Sequence, residues 1–292
     1  MLPDWSNGRG TRRLDERGTG GDRAGAGGKT ASVVLSRRPL LRKVRFRVGS
    51  VHRVGTCCRL VVALRIRRHP RWPAQRRGIA PLVREVCEQL DISAIADAVG
   101  VSFGGLQAVH VSEDQELGVP CLVLRSCAPS GLSYPVPAEA ILGPVMFSPL
   151  LQGFAWRLLR RMVRSDSGLR TMMARLSKLP VEDWWEQLSA ADRNEARMLF
   201  QCMRSDSGFV NDLRQWQARW AAARREALSN IKCPTLVTSS PHDRGVSFAH
   251  GKDFANNIPD ANLVELDSPS HMFWMGPGRA RLVSIVGSFI DE

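Results

Sequence analysis

Ser102, Asp243 and His271 are of types, and in an order, that could attack a carbonyl and move the proton that the attack releases. Ser102 lies in Gly100-Val101-Ser102-Phe103-Gly104, the G-x-S-x-G pattern of a sharp strand-to-helix turn. Such a turn holds the serine in strained backbone angles, and glycines two places either side remove side chains that would collide there. The hydroxyl then projects above a sheet, beside the positive end of the following helix. A serine hydroxyl is a weak nucleophile at neutral pH, so it needs a base, and the base needs a carboxylate to orient it. Asp243 ends the segment Pro234-Thr-Leu-Val-Thr-Ser-Ser-Pro-His-Asp243, and His271 stands just past Leu263-Val-Glu-Leu-Asp267 in Ser268-Pro-Ser-His271. The bland alternatives are a turn serine at 102 and Asp267 in place of Asp243, although Asp267 sits close to the histidine loop. His242 and His250 read as a solvated loop residue and a solvated helix residue, because neither follows the last strand.

The elements that must position these groups alternate. Leu82–Leu90 has helical spacing, Ala94–Val99 is a small-residue strand, and a helix is expected from the turn to about Glu116. Val119–Arg125 gives a second strand. Pro234–Ser239 and Asn262–Leu266 are later strands, separated by a helix at Ser247–Asn257 and followed by a closing helix at Arg279–Ile290. Alternation of this kind implies an α/β fold whose mostly parallel sheet is covered on both faces. Residues 137–228 interrupt it without a convincing strand. There Ser189-Ala-Ala-Asp192 reads as a capping box for a helix reaching Met203, and Phe209–Leu228 as another helix. Arg-Ser-Asp-Ser-Gly, at 164–168 and again at 204–208, reads as a turn between helices.

On these residues, 81–292 resembles the serine α/β-hydrolase family in its lidded branch. The likeness runs through Ile231-Lys-Cys-Pro-Thr-Leu-Val, His242-Asp243-Arg-Gly-Val-Ser, Ile258-Pro-Asp-Ala-Asn-Leu-Val-Glu-Leu and Ser270-His271, with Ser270 where the family usually has glycine. The resemblance implies Ser102 as nucleophile, His271 as general base and then acid, and Asp243 as the group that orients it. It implies the Phe103 N–H as one oxyanion donor, with Gly100 and Gly104 framing the elbow. The reaction implied is acyl transfer on a small apolar ester, thioester, lactone or activated amide, with no metal and no cofactor. The segment 137–228 holds five of the eight tryptophans and six of the nine methionines, which either form a core between lid helices or line an acyl pocket. Trp156, Trp184 and Trp185 are the pocket candidates.

The first eighty residues are of a different composition. They hold 20 Lys and Arg against 4 Asp and Glu, whereas the remainder holds 21 against 24, so the whole-chain charge of +13 comes entirely from the first quarter. The chain therefore divides into a basic segment at 1–80, expected to be irregular, a first half of the core at 81–136, a helical lid at 137–228 and a second half at 229–292. A nucleic-acid arm fits the charge of 1–80 but lacks aromatic stacking residues, and Gly25–Thr30 lacks the first glycine of a phosphate loop. A mis-called or out-of-frame N-terminus, leaving an inactive fragment, is the competing reading. It gains weight because neither a His-Gly oxyanion turn nor the strand that should lie beside Ala94–Val99 can be recognised. Without a neighbour that strand would expose an unpaired edge, unless parts of 31–66 stand in. No apolar run approaches the length of a membrane span, and the seven cysteines show no C-x-x-C spacing, so the expectation is a cytoplasmic chain without a membrane partner.

Overall fold

A computed structural model describes residues 29–36, 47–48, 52–54, 57–64, 79–132, 152–202 and 215–291. The sheet is built from β1 (Lys29–Ser36), β2 (Arg47–Val48), β3 (His52–Val54), β4 (Cys57–Leu64), β5 (Ile92–Val101), β6 (Leu122–Arg125), β7 (Thr235–Ser239) and β8 (Ala261–Glu265). Its order is β2-β4-β1-β5-β6-β7-β8, with β3 also paired to β4. The strands from β4 through β8 run parallel, and β2 and β3 lie antiparallel against β4.

The described strands of the N-terminal quarter correct the expectation of an irregular segment. Ser32–Leu35 is a β-branched, apolar run, and it forms β1 parallel to β5 with Val33 paired to Ala98. The edge that sequence reasoning left open beside the elbow strand is therefore filled. Ser32–Leu35 and Arg59–Ile66 are β-prone runs that could pair as strands despite the surrounding arginines, since a central parallel strand needs only a short apolar run and tolerates charge at its ends. The remaining residues of the basic segment, including the Gly25–Gly28 part of the phosphate-loop reading, lie outside the described residues.

Both faces of the sheet are covered, as parallel pairing requires. On one face Val33, Ala98, Leu122, Leu124 and Val237 pack with α1 (Ile79–Gln89), α2 (Gly105–Ser112), α6 (Ala221–Ser229) and α7 (Phe248–Asn257) through Val83, Val109, Leu228 and Phe254. On the other, Val99, Val123 and Leu236 meet Ile285, Val286, Phe289 and Ile290 of α8 (Arg279–Asp291). Leu122, Val123 and Leu124 are each fully buried, and burial of side chains of this size contributes about 1.5–3 kcal/mol apiece. Among the described residues no helix is long and apolar enough to cross a membrane.

Between β6 and α6 lie α3 (Gln152–Met162), α4 (Asp166–Ala174) and α5 (Ala190–Cys202). Ser189 and Asp192 form the expected capping box: the Asp192 N–H donates to Ser189 Oγ at 3.1 Å and the Ser189 N–H donates to Asp192 Oδ2 at 3.1 Å. The first Arg-Ser-Asp-Ser-Gly copy opens a helix, with Ser165 Oγ accepting from the Gly168 N–H at 3.1 Å. A Cβ on Gly168 would stand 2.0 Å from the Met162 carbonyl oxygen, so the glycine there serves close approach. The second copy, and residues 209–214 of the expected Phe209–Leu228 helix, lie outside the described residues. The described remainder of that helix is broken, with a 3-10 turn at Ala218–Trp220 before α6.

Candidate active site

Ser102 has φ +54°, a left-handed conformation that a non-glycine residue adopts at a cost of order 1–2 kcal/mol. β5 runs directly into the 3-10 turn Ser102–Gly104 and then into α2, so the serine sits where a strand becomes a helix. The crowding that demands glycine is visible. A Cβ on Gly100 would lie 2.8 Å from the Gly105 Cα and 3.0 Å from the Ala108 Cβ. Gly104 has φ −75°, so it is not held by a left-handed backbone. The tighter constraint falls one residue later, on Gly105, whose added Cβ would stand 2.5 Å from the Cys127 Cβ. Cys127 follows β6, and burial pushes its thiol up to about 12, which keeps it protonated and makes it a packing group under the elbow. The Ala128 N–H donates to the Ser102 carbonyl at 3.2 Å and ties the turn to the neighbouring strand's exit.

The three expected side chains are brought together. His271 Nε2 lies 2.9 Å from Ser102 Oγ, and His271 Nδ1 lies 2.7 Å from Asp243 Oδ2. Asp243 is fully buried, and its Oδ1 accepts from the Val246 N–H at 2.8 Å, so each carboxylate oxygen has a donor. That arrangement fixes the carboxylate plane toward the imidazole. Asp267 is exposed, and the carboxylate on the histidine is that of Asp243. Gly245 is a residue that sequence reasoning passed over: a Cβ there would lie 2.9 Å from the His271 Cγ, so only glycine lets the acid loop lie against the ring. The signal was available, as a glycine two places after Asp243.

Phe103, whose N–H is the expected oxyanion donor, follows Ser102 at the start of the turn into α2. Its ring packs edge-on against Trp216, with centroids 5.0 Å apart. The second donor implied by the resemblance would come from the loop after the strand beside β5, and residues 37–46 lie outside the described residues. Trp184 and Trp185 lie in an apolar cluster with Leu169, Met173, Phe200, Met272 and Met275, and Trp156 is buried as well. The two methionines follow His271 closely, so the core of the helical segment abuts the histidine loop. Among the described residues no group of three or more His, Cys, Asp or Glu side chains is gathered as for a metal ion.

The expectation of a solvated His250 is overturned, because its side chain is 2% exposed. Its Nδ1 accepts from the Ser130 N–H at 3.4 Å and meets Ser130 Oγ at 2.8 Å, and its ring lies 5.4 Å from Trp216. The Arg224 guanidinium caps the same loop, donating to the Ser130 and Leu132 carbonyls. Burial, with the Arg224 charge nearby, drives the imidazole down to about 4, against a partial upward pull from Asp253. The folded chain thus keeps His250 neutral where the unfolded chain would take up a proton near its ordinary value. This contribution to stability is complete above about pH 6.5 and is lost as the pH falls toward 4, by roughly 1 kcal/mol per pH unit. Thermal melts of the wild type and of His250→Gln between pH 4 and 7 check it. The glutamine variant should show the shallower decline, and an unchanged slope would contradict the assignment.

No protein-family model matches the chain. A hydrolase of Bacillus subtilis (strain 168), YcgS, itself uncharacterized, is 26% identical over 210 residues, which cover 71% of this chain and 72% of the relative. Among solved structures, the enol-lactonase from Burkholderia xenovorans LB400 aligns with a TM-score of 0.55 at 20% identity, covering 80% of this chain and 82% of that one. The esterase EaEST from Exiguobacterium antarcticum aligns with a TM-score of 0.52 at 16% identity, again over 80% and 82%. With the strand order and the elbow already described, these likenesses define an α/β-hydrolase fold. The chain therefore has the α/β-hydrolase fold, and over 210 residues it is similar to a hydrolase.

Proposed function

We propose that the chain is a serine hydrolase that cleaves a small apolar ester, thioester, lactone or activated amide by acyl transfer. The observation that carries the reading is the unbroken pair of hydrogen bonds from Ser102 Oγ through His271 to Asp243, on a strained turn. In this reading His271 Nε2 takes the Ser102 proton as Oγ bonds to the substrate carbonyl carbon. The oxygen of that carbonyl becomes an oxyanion facing the Phe103 N–H, where the positive end of α2 favours negative charge. Collapse breaks the bond to the leaving group, which departs with the proton returned by His271. Water then attacks the acyl-enzyme, gives its proton to the same nitrogen, and Ser102 leaves with it. Asp243 stays ionised throughout, holding Nδ1–H and stabilising the imidazolium.

The substrate class is supported by the similarity to an enol-lactonase and an esterase. The helical stretch over 137–228 is read as a lid between core halves at 81–136 and 229–292. In support, its apolar cluster extends onto Met272 and Met275 of the histidine loop. The test is turnover of a panel of short-chain p-nitrophenyl esters, an acyl thioester and a γ-lactone by the purified chain. Hydrolysis of at least one is expected; a folded sample that turns over none of them contradicts the reading.

A further inference from the structure

Asp243 and His271 are carried by different loops, after β7 and β8, and a third segment holds these two loops together. That segment is Leu176–Leu179, the stretch of the helical region just after α4. The Leu176 carbonyl accepts both the His271 N–H at 2.9 Å and the Arg244 N–H at 3.3 Å. Ser177 forms an isolated antiparallel bridge with Asp243, and the Lys178 N–H donates to the His242 carbonyl at 2.8 Å. Ser177 is 2% exposed. Its hydroxyl donates to the Pro269 carbonyl at 2.5 Å and accepts from the Leu179 N–H at 2.9 Å, so both its donor and an acceptor site are used. Lys178 Nζ adds a bond to the Pro241 carbonyl at 2.8 Å. Each link joins the segment to a residue within two positions of the acid or the histidine.

We infer that Leu176–Leu179 is a clamp that sets the acid loop and the histidine loop in register, with Ser177 as its buried positioning residue. This rests on the proposed roles of Asp243 and His271. One consequence is that the end of the helical region after α4 is a fixture of the site, since moving it would break the bonds to both loops. The physical reason for such a device is steep: a reacting group displaced by about 1 Å can lose about 100-fold in rate, while loops joined only by their own strands have slack.

Two variants test the clamp. Ser177→Ala removes the hydroxyl between the segment and Pro269, and Lys178→Pro removes the N–H given to His242 and the Nζ bond to Pro241 while leaving the Ser177 hydroxyl in the chain. Each should lower kcat by about 10-fold or more with KM within twofold, and Ser177→Thr, which keeps the hydroxyl, should recover most of the loss. A purely structural role would instead lower the melting temperature and leave kcat of the folded fraction unchanged. A second readout does not depend on turnover: the proton NMR signal of the His271 Nδ1–H, shared with Asp243, should broaden or move upfield in both variants. If the wild type turns over no ester, the function reading fails while this signal still reports on the clamp. Variants that keep both the wild-type signal and, where there is turnover, kcat within twofold would overturn the inference.

Discussion

Ser102→Ala is expected to lower ester turnover by about 10⁵- to 10⁶-fold, the scale on which a triad nucleophile acts when its partners can no longer work without it. In the proposed mechanism Ser102 Oγ bonds to the substrate and gives its proton to His271 Nε2, 2.9 Å away, so the variant would have no nucleophile with which to form the acyl-enzyme. Fold stability should barely change. Serine and alanine pay nearly the same cost at φ +54°, and the Gly100 and Gly105 contacts that shape the turn remain. A steady-state assay together with a circular dichroism melt checks both halves. A loss under 10-fold with an intact fold would place the nucleophile elsewhere.

Asp243→Asn should lower kcat by about 10⁴-fold with little change in KM. The amide is nearly the same size, and its oxygen can still accept from the Val246 N–H. The other position, which now receives His271 Nδ1–H at 2.7 Å, would become an NH₂ donor. The imidazole would be pushed to the tautomer with its proton on Nε2, where it can no longer accept from Ser102. The imidazolium would also lose a fully buried countercharge, and low surrounding polarity makes that loss costly. The check is kcat and KM for this variant beside Asp267→Asn, which should stay near the wild type because Asp267 is exposed. Equal losses in the two variants would contradict the assignment.

Much of the site was legible because its signals are local. The elbow is five consecutive residues, and Asp243 and His271 each follow a short apolar strand, so residue type and chain position suffice to find them. The capping box at Ser189 and Asp192 is local for the same reason. What escaped depends on contacts between distant segments. Gly105 is needed because Cys127 lies against it, and Gly245 because His271 does. Ser177 joins a loop some ninety residues on, a pairing that no periodicity records. His250 was misplaced because one helix face cannot tell the sequence reader which loop, here Ser130, will bury it. β1 lies on the run Ser32–Leu35, which is legible as β-prone, while its pairing with β5 is not, because that pairing joins segments some sixty residues apart. With β1 beside β5, the reading of the chain as a fragment loses the open sheet edge on which it partly rested.

Covalent capture of the nucleophile addresses the central proposal most directly. The purified full chain would be treated with a fluorophosphonate, digested, and mapped by mass spectrometry. The account predicts one adduct per chain, on Ser102, formed by the wild type and absent from Ser102→Ala. An adduct on another serine, or none on a folded wild-type sample, would contradict it.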